Sequence, residues 1–325
     1  MTPRNLRLLA VALGVLLLLW GAVAVASRNG RDTEQRLRLP GITTADVDTV
    51  TITGARDTIV LARAGTAWRV NGHPTDPQAV GELVTSLGDS AAVGDLVAES
   101  ASSYAQLGMD SASARRVRVQ AHGKTVLDIV TGKPGVVYGT GYLRRATDPA
   151  VYLVRSSLPR IAERRVDGWR DKRIAVIPPD SVSKIEVQRG RKRYALSREG
   201  ARWTLAPGGA AADSMAVANF LRALADIRAA GFASAAQADS LKFSPPSRRL
   251  RVLGRNGAPR VSLVFDSTAA GLWARADSGG TVWRLEGWGV DQLTPADSTL
   301  AARPTTAPAK PPALSPRARG APPPR

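Results

Sequence analysis

Two histidines, His73 and His122, and the run Thr131-Gly132-Lys133-Pro134-Gly135 are the residues of this chain whose types most readily do chemistry. A histidine with a second histidine or a carboxylate at ligand spacing holds zinc, and one beside a nucleophile serves as a general base. Neither histidine has such a partner nearby in sequence. His73 falls in the turn between Trp68 and Asp76, and His122 in the hairpin Ala121-His122-Gly123-Lys124, so both are expected to be turn residues. The Thr131 run has the Gly-Lys of a phosphate loop but lacks the required glycine spacing before it. A strand rather than a helix is expected after it, and it reads as a hairpin. The absence of cysteine excludes disulfides, thiolate metal sites and a cysteine nucleophile. No nucleophile-elbow pattern organises the many serines and aspartates. No catalytic, cofactor-binding or metal-binding residue is assigned, and the chain is expected to be non-catalytic, without a cofactor.

Charge is the next chemical signal. Of 325 residues, 45 are Lys or Arg and 27 are Asp or Glu, a formal net charge of +18. Such a balance favours anionic partners. The densest cluster is Arg189-Gly190-Arg191-Lys192-Arg193, between two strand-like runs. It reads as a solvated turn, with a contact for an anionic polymer, a lipid surface or a protein partner as the alternative. Nucleic acid is not expected, because no recognition helix or aromatic RNA-binding motif is present.

The elements that position these residues begin with an apolar run. Leu8–Ala26 is free of charge for nineteen residues and follows Arg4 and Arg7. At 1.5 Å per residue it covers roughly 28 Å, about the hydrocarbon thickness of a bilayer. It is read as an uncleaved transmembrane anchor within residues 1–30. The alternative is a cleaved signal, for which Ala22-Val23-Ala24 resembles the processing site. Arg28, Arg31, Arg36 and Arg38 follow the span, so charge alone does not orient it, and large downstream domains translocate largely regardless of charge.

Beyond the anchor the sequence repeats itself. Gly65 and Trp68 of GTAWRV match Gly200 and Trp203 of GARWTL at a separation of 135 (203 − 68). The same separation relates Val50 and Ile52 to Ile185 and Val187, Ile59 and Leu61 to Tyr194 and Leu196, and Val70 to Leu205. Apolar residues at alternate positions predict three short strands presenting one face to a core, with the glycine in the turn before the tryptophan strand. Trp68 and Trp203 are expected to point at that core. A helix should follow each tryptophan strand, capped by Asp76 with the stripe Val80, Leu83, Val84, Leu87, and by Asp213 with Val217, Phe220, Leu221, Leu224. The cap spacing is 137 (213 − 76), which places a two-residue insertion near Gly208-Gly209.

After a loop, four further strands match. Val117 and Val119 answer Leu250 and Val252; Leu127 and Ile129 answer Val261 and Leu263; Tyr142 and Arg144 answer Trp273 and Arg275; Val151–Val154 answer Val282–Leu285. Two tandem α+β domains dominated by antiparallel sheet are therefore predicted, over residues 40–160 and 180–300. A connector over 161–179 carries Trp169-Arg170-Asp171-Lys172, with Trp169 wedged against one or both domains. From 301 to 325 the chain is rich in Pro, Ala and Arg and reads as a disordered basic tail.

The order of these motifs, from the span through G-x-x-W-x-[VL], Tyr104-Ala105-Gln106-Leu107-Gly108, Tyr142-Leu143-Arg144, V-Y-x-V and W-R-D-K, resembles the domain of unknown function 4340 family over roughly residues 40–300. The resemblance implies a bacterial inner-membrane protein, single-pass, with the repeated domain outside the cytoplasm. It also implies an accessory role beside ABC-type export or gliding-motility systems, and it brings no catalytic residues with it. The second copy shows no counterpart of W-R-D-K in sequence and ends in Gly287-Trp288-Gly289. Two roles are expected from all of this. One is a non-catalytic scaffold binding protein partners in an envelope complex, with sheet edges open to strand addition. The other is a binder of acidic polymer or lipid through the Arg-rich hairpins and tail.

Overall fold

A computed structural model describes residues 37–88 and 93–302. The apolar run Leu8–Ala26 and the tail beyond Ala302 lie outside the described residues. Among the described residues no helix is long and apolar enough to cross a membrane. The chain divides after Asp171 into two compact units.

In the first unit the strands are β1 (Leu37–Arg38), β2 (Val47–Thr53), β3 (Thr58–Ala64), β4 (Ala67–Val70), β5 (His73–Pro74), β6 (Val93–Ala98), β7 (Arg115–Ala121), β8 (Lys124–Pro134), β9 (Thr140–Arg145) and β10 (Val151–Arg155). They form one antiparallel ten-stranded sheet in the order β1-β6-β10-β9-β8-β7-β2-β3-β4-β5. Val50 and Ile52 lie opposite Leu61 and Ile59 on one side and Val119 and Val117 on the other, so every alternate residue enters one core. Helices α1 (Pro77–Gly88) and α3 (Leu158–Ala162) cover that face with Leu83, Leu87, Leu158 and Ile161. On the other face the short α2 (Tyr104–Leu107) lays Leu107, with Met109, over Val130 and Val151.

The second unit contains β11 (Arg173–Val176), β12 (Val182–Arg189), β13 (Lys192–Glu199), β14 (Arg202–Ala206), β15 (Ala210–Ala211), β16 (Asp226–Arg228), β17 (Gly231–Phe232), β18 (Arg248–Gly254), β19 (Pro259–Thr268), β20 (Gly271–Ala276) and β21 (Val282–Leu285). Its helices are α4 (Ser214–Ala225), α5 (Ala235–Ser240), α6 (Gly287–Leu293) and α7 (Asp297–Leu300). Nine strands pair in the order β15-β14-β13-β12-β18-β19-β20-β21-β17, and β11 pairs with β16 separately. Read from β17, this is the order of the first unit from β6 onward, with no counterpart of β1. Ile185 and Val187 face Leu196 and Tyr194, and Val252 and Leu250, in the same register as Val50 and Ile52 above.

Even the irregularities correspond. The β2–β7 register slips between Val47 and Thr49, and the β12–β18 register between Val182 and Lys184. A bulge adds one residue and shifts the parity of inward positions. That is why Val47 and Val50, or Val182 and Ile185, are all buried despite an odd spacing. The extra residue finds a polar partner in both units: Asp48 Oδ2 accepts from Gly123 N at 3.1 Å, and Ser183 Oγ donates to the Gly254 carbonyl at 2.6 Å.

Two features differ from what the sequence predicts, and a third, the place of Trp169, is made specific. The loop expected after the first helix carries an edge strand, β6, which pairs with β10 through non-local hydrogen bonds that no alternation announces. Trp169, expected to wedge against one or both domains, is fully buried in the first unit's core. The second unit does have a counterpart of W-R-D. Asp76 N donates to Trp169 O at 2.8 Å and Asp171 N to Pro74 O at 3.0 Å, while Asp213 N donates to Leu300 O at 2.8 Å and Ala302 N to Ala211 O at 3.1 Å. Leu300-Ala301-Ala302 thus closes the second unit as Trp169-Arg170-Asp171 closes the first, and the folded backbone extends past the expected boundary at Ala301. Backbone groups make these bonds, so the side chains were free to differ.

Asp76 and Asp213 cap equivalent helices. Asp76 Oδ1 accepts from Gln78 N at 2.9 Å and Asp213 Oδ1 from Ala216 N at 2.8 Å. Each satisfies one orphan amide of its helix. Replacing either aspartate by alanine is expected to cost about 1 kcal/mol, read as a lower urea midpoint. An unchanged midpoint in the Asp76→Ala, Asp213→Ala double variant would remove the capping role.

Candidate interaction surfaces

The residues that first drew chemical attention are dispersed. His73 sits on edge strand β5, with Arg170 Nη2 at 3.5 Å from its Nδ1. Burial first, and the Arg170 charge second, hold its pKa below the ordinary imidazole value. His122 takes positive φ in the β7–β8 turn, 3.7 Å from one oxygen of Asp46 and largely in solvent. Among the described residues no cluster of three or more His, Cys, Asp or Glu could hold a metal. The Thr131 run ends strand β8. There a Cβ on Gly132 would stand 2.3 Å from the Leu107 carbonyl, so that glycine serves the close approach of the Tyr104–Gly108 segment.

Gly65 and Gly200 hold φ of 65° and 63° in equivalent turns, the left-handed region that favours glycine. Trp68 and Trp203 follow, opposite Arg63 and Arg198 in the neighbouring strands. Both are half-buried and pack against their cores from the margin. The fully covered tryptophans are Trp169 and Trp273. Arg144 and Arg275, matched in sequence, both stack on aromatics of the opposite-face layer, over Tyr104 at 5.2 Å and over Phe243 at 4.6 Å from the ring centre.

The Arg-rich hairpin splits into two populations. Arg189 reaches Asp291 at 3.3 Å, and Arg248 reaches the same carboxylate at 2.6 Å. The Arg248 hydrogen bond holds the Asp291 carboxyl below the usual carboxylate range. Arg191, Lys192 and Arg193, around Gly190 at φ 57°, are exposed and form no ion pair among the described residues. Arg189 is thus committed to its own unit, and the three turn cations face solvent.

A second surface went unnoticed in sequence. Trp288, in the first turn of α6, leaves 69% of its surface in water. It lines a groove of about 350 Å3 together with Ile227, Leu285 and Leu293 and with the polar Asp226, Arg228, Glu286 and Gln292. Val176, opposite Asp226 of that lining, is also exposed. A large aromatic held in solvent beside a mainly apolar groove with a charged rim marks a contact for another molecule. The signal available was the aromatic between two glycines after the last strand, where no core stripe required it.

The sheet edges are less open than the alternating pattern implied. The outermost strands β1, β5, β15 and β17 have two residues each. Strand β5 also accepts from Asp171, and β15 from Ala302. The edges at β5 and β15 are thus short and occupied, which resists strand addition there.

Fold and surfaces together define a protein of two equivalent sheet-plus-helix units whose distinctive side chains face outward. A family model, the domain of unknown function DUF4340, matches residues 42–246, more than half of the 325 residues. The chain belongs to this family. The match covers β2 to β10 of the first sheet and crosses the division at Asp171, ending before β18. No curated protein and no solved structure matches the chain.

Proposed function

We propose that the chain is a non-catalytic, membrane-anchored accessory subunit, with two duplicated α+β domains outside the cytoplasm, and that it binds a protein partner in an inner-membrane complex of ABC-type transport or a related motility system. The observation that carries this reading is the solvent-exposed Trp288 beside its mainly apolar groove. Aromatic anchors of this kind dominate binding energy when a partner covers them. The apolar run Leu8–Ala26 supports the anchor, and family membership supports the setting. Affinity capture of full-length protein from solubilised membranes is expected to recover transporter subunits at high salt, and to lose them at least tenfold with Trp288→Ala. Recovery of glycan or lipid alone would sink the reading.

One observation favours a second role. Arg191, Lys192 and Arg193 face solvent without partners, as a binder of an acidic envelope polymer or lipid surface requires. Such binding weakens steeply as salt rises, whereas an apolar contact persists, so salt separates the two.

A further inference from the structure

The β8–β9 hairpin of the first unit ends in Gly135-Val136-Val137-Tyr138-Gly139. Val136 and Tyr138 are fully exposed and Val137 is 62% exposed, three consecutive apolar side chains beyond any core. The corresponding β19–β20 turn of the second unit carries only Ala269 and Ala270 between its strands. The separation of matched residues falls from 134 (263 − 129) before this hairpin to 131 (273 − 142) after it, so the first unit has three more residues here. No packing in the first unit accounts for the additional apolar tip.

Cations outnumber acids around the tip, the exposed Glu163 that caps α3 one turn after Arg160 being the acid on that helix. No acid occurs between Asp128 and Asp148 in sequence. Lys133 precedes the tip, Arg155 lies opposite Thr140 at its base, and Arg160 follows Pro159, the residue against which Gly141 packs. All three are exposed and form no ion pair among the described residues. Asp95 on β6 is the nearest acid in the sheet, opposite Leu153, and stands two strands away from the hairpin.

Register ties the tip to the route of the chain. Leu37 faces Gly94, Gly94 faces Val154, Val154 faces Gly141 and Gly141 faces Pro134, a single row across β1, β6, β10, β9 and β8. Four strand spacings put Leu37 roughly 19 Å from the base of the tip. Eleven positions separate Leu37 from Ala26 at the end of the apolar run (37 − 26). Fully extended they reach at most roughly 40 Å. Leu37 therefore lies in the row at the base of the hairpin, within reach of the apolar run, and β1 runs from it toward the end of the sheet from which the tip projects.

We propose that the Gly135–Gly139 tip dips into the headgroup layer of an anionic bilayer, with Val136, Val137 and Tyr138 in the interface and Lys133, Arg155 and Arg160 on acidic headgroups. Tyrosine with apolar neighbours suits the boundary between headgroup and acyl chain, and flanking cations add electrostatic attraction. The short tether keeps the tip at high effective concentration beside the surface, so a few side chains suffice. This inference rests on the membrane-anchor part of the proposed function.

Because the chain has no cysteine, Val137→Cys in the full-length protein gives a single spin-label site. The protein would be reconstituted into phosphatidylcholine–phosphatidylglycerol vesicles and floated. Flotation reports the anchor; the ratio of oxygen to nickel-chelate accessibility at residue 137 reports the tip. The expected result is a several-fold rise of that ratio over the detergent-free aqueous value, reduced to that value when Val136 and Tyr138 are replaced by aspartate. A chain that floats while residue 137 stays aqueous overturns the inference and leaves the anchor standing. A chain that does not float overturns both. Shielding of residue 137 in native membranes but not in protein-free vesicles assigns the tip to a protein partner and also overturns it, as does an equal ratio from a label at Ala270→Cys.

Discussion

Replacing Trp169 with alanine is expected to destabilise the first unit by about 3–5 kcal/mol, the range for removing a fully buried large aromatic. Trp169 has none of its surface in water and packs in the cluster that contains Leu83, Leu158 and Ile161. Its indole Nε1 donates to the Arg164 carbonyl at 3.3 Å, and the Arg164 guanidinium lies 4.9 Å from the ring centre. The same arginine pairs with Glu82 of α1, so the ring supports a contact that holds helix to closing segment. Removing it opens a cavity and frees that arm together. Urea unfolding followed by far-UV circular dichroism checks this, because the signal does not depend on tryptophan emission. The first unit's transition should move to lower urea. Trp68→Ala is the comparison: that ring is half-covered, and its loss is expected to cost only about 1–2 kcal/mol. If Trp68→Ala proved the costlier substitution, the placement of both residues would be wrong.

Trp273→Ala is expected to cost the second unit a similar amount, about 3–5 kcal/mol, through a different layer. Trp273 is 2% exposed and packs with Phe243 and Val264 on the face of the sheet away from α4. Its Nε1 donates to Thr268 Oγ1 at 3.2 Å across the β19–β20 turn. Because this small cluster holds the segment that contains Leu241 and Phe243, local opening should precede global unfolding. Amide exchange is expected to rise first over residues 233–243, with protection of β12 and β18 retained until the whole unit unfolds. Uniform loss of protection across the sheet would show that Trp273 belongs to the main core instead. In the first unit the matching position is Tyr142, which is only half-buried. Matched positions in the two units are therefore not equally important.

That contrast marks how far the sequence could be read. The repeated tryptophan strands drew attention to Trp68 and Trp203, since two matched aromatics in an apolar alternation are visible without coordinates. Full burial fell instead to Trp169, in a segment with no periodicity, and to Trp273, which the sequence offered only as the partner of a tyrosine. Helix caps at Asp76 and Asp213 were legible because a side chain one step before an apolar stripe has a single local use. Strand β6 was not, because its pairing partner β10 is distant in the chain and its own residues alternate weakly. The exposed surfaces were the least legible: Trp288 and Val136-Val137-Tyr138 have the composition of core residues, and only the fold leaves them in water.

Sequence by itself determined two antiparallel sheet-plus-helix units, the chain order of their strands around the repeated motif, the turn glycines and the caps, because each follows from short-range alternation and local hydrogen bonding. Tertiary structure alone decided which tryptophans are covered, that Leu300 takes the place of Trp169, and which apolar side chains face outward. The physical reason is plainest for the closing segments. Closing segments and edge strands are held by backbone amides and carbonyls, which every residue type but proline supplies in full, so the side chains at those places carry no code for where they will lie.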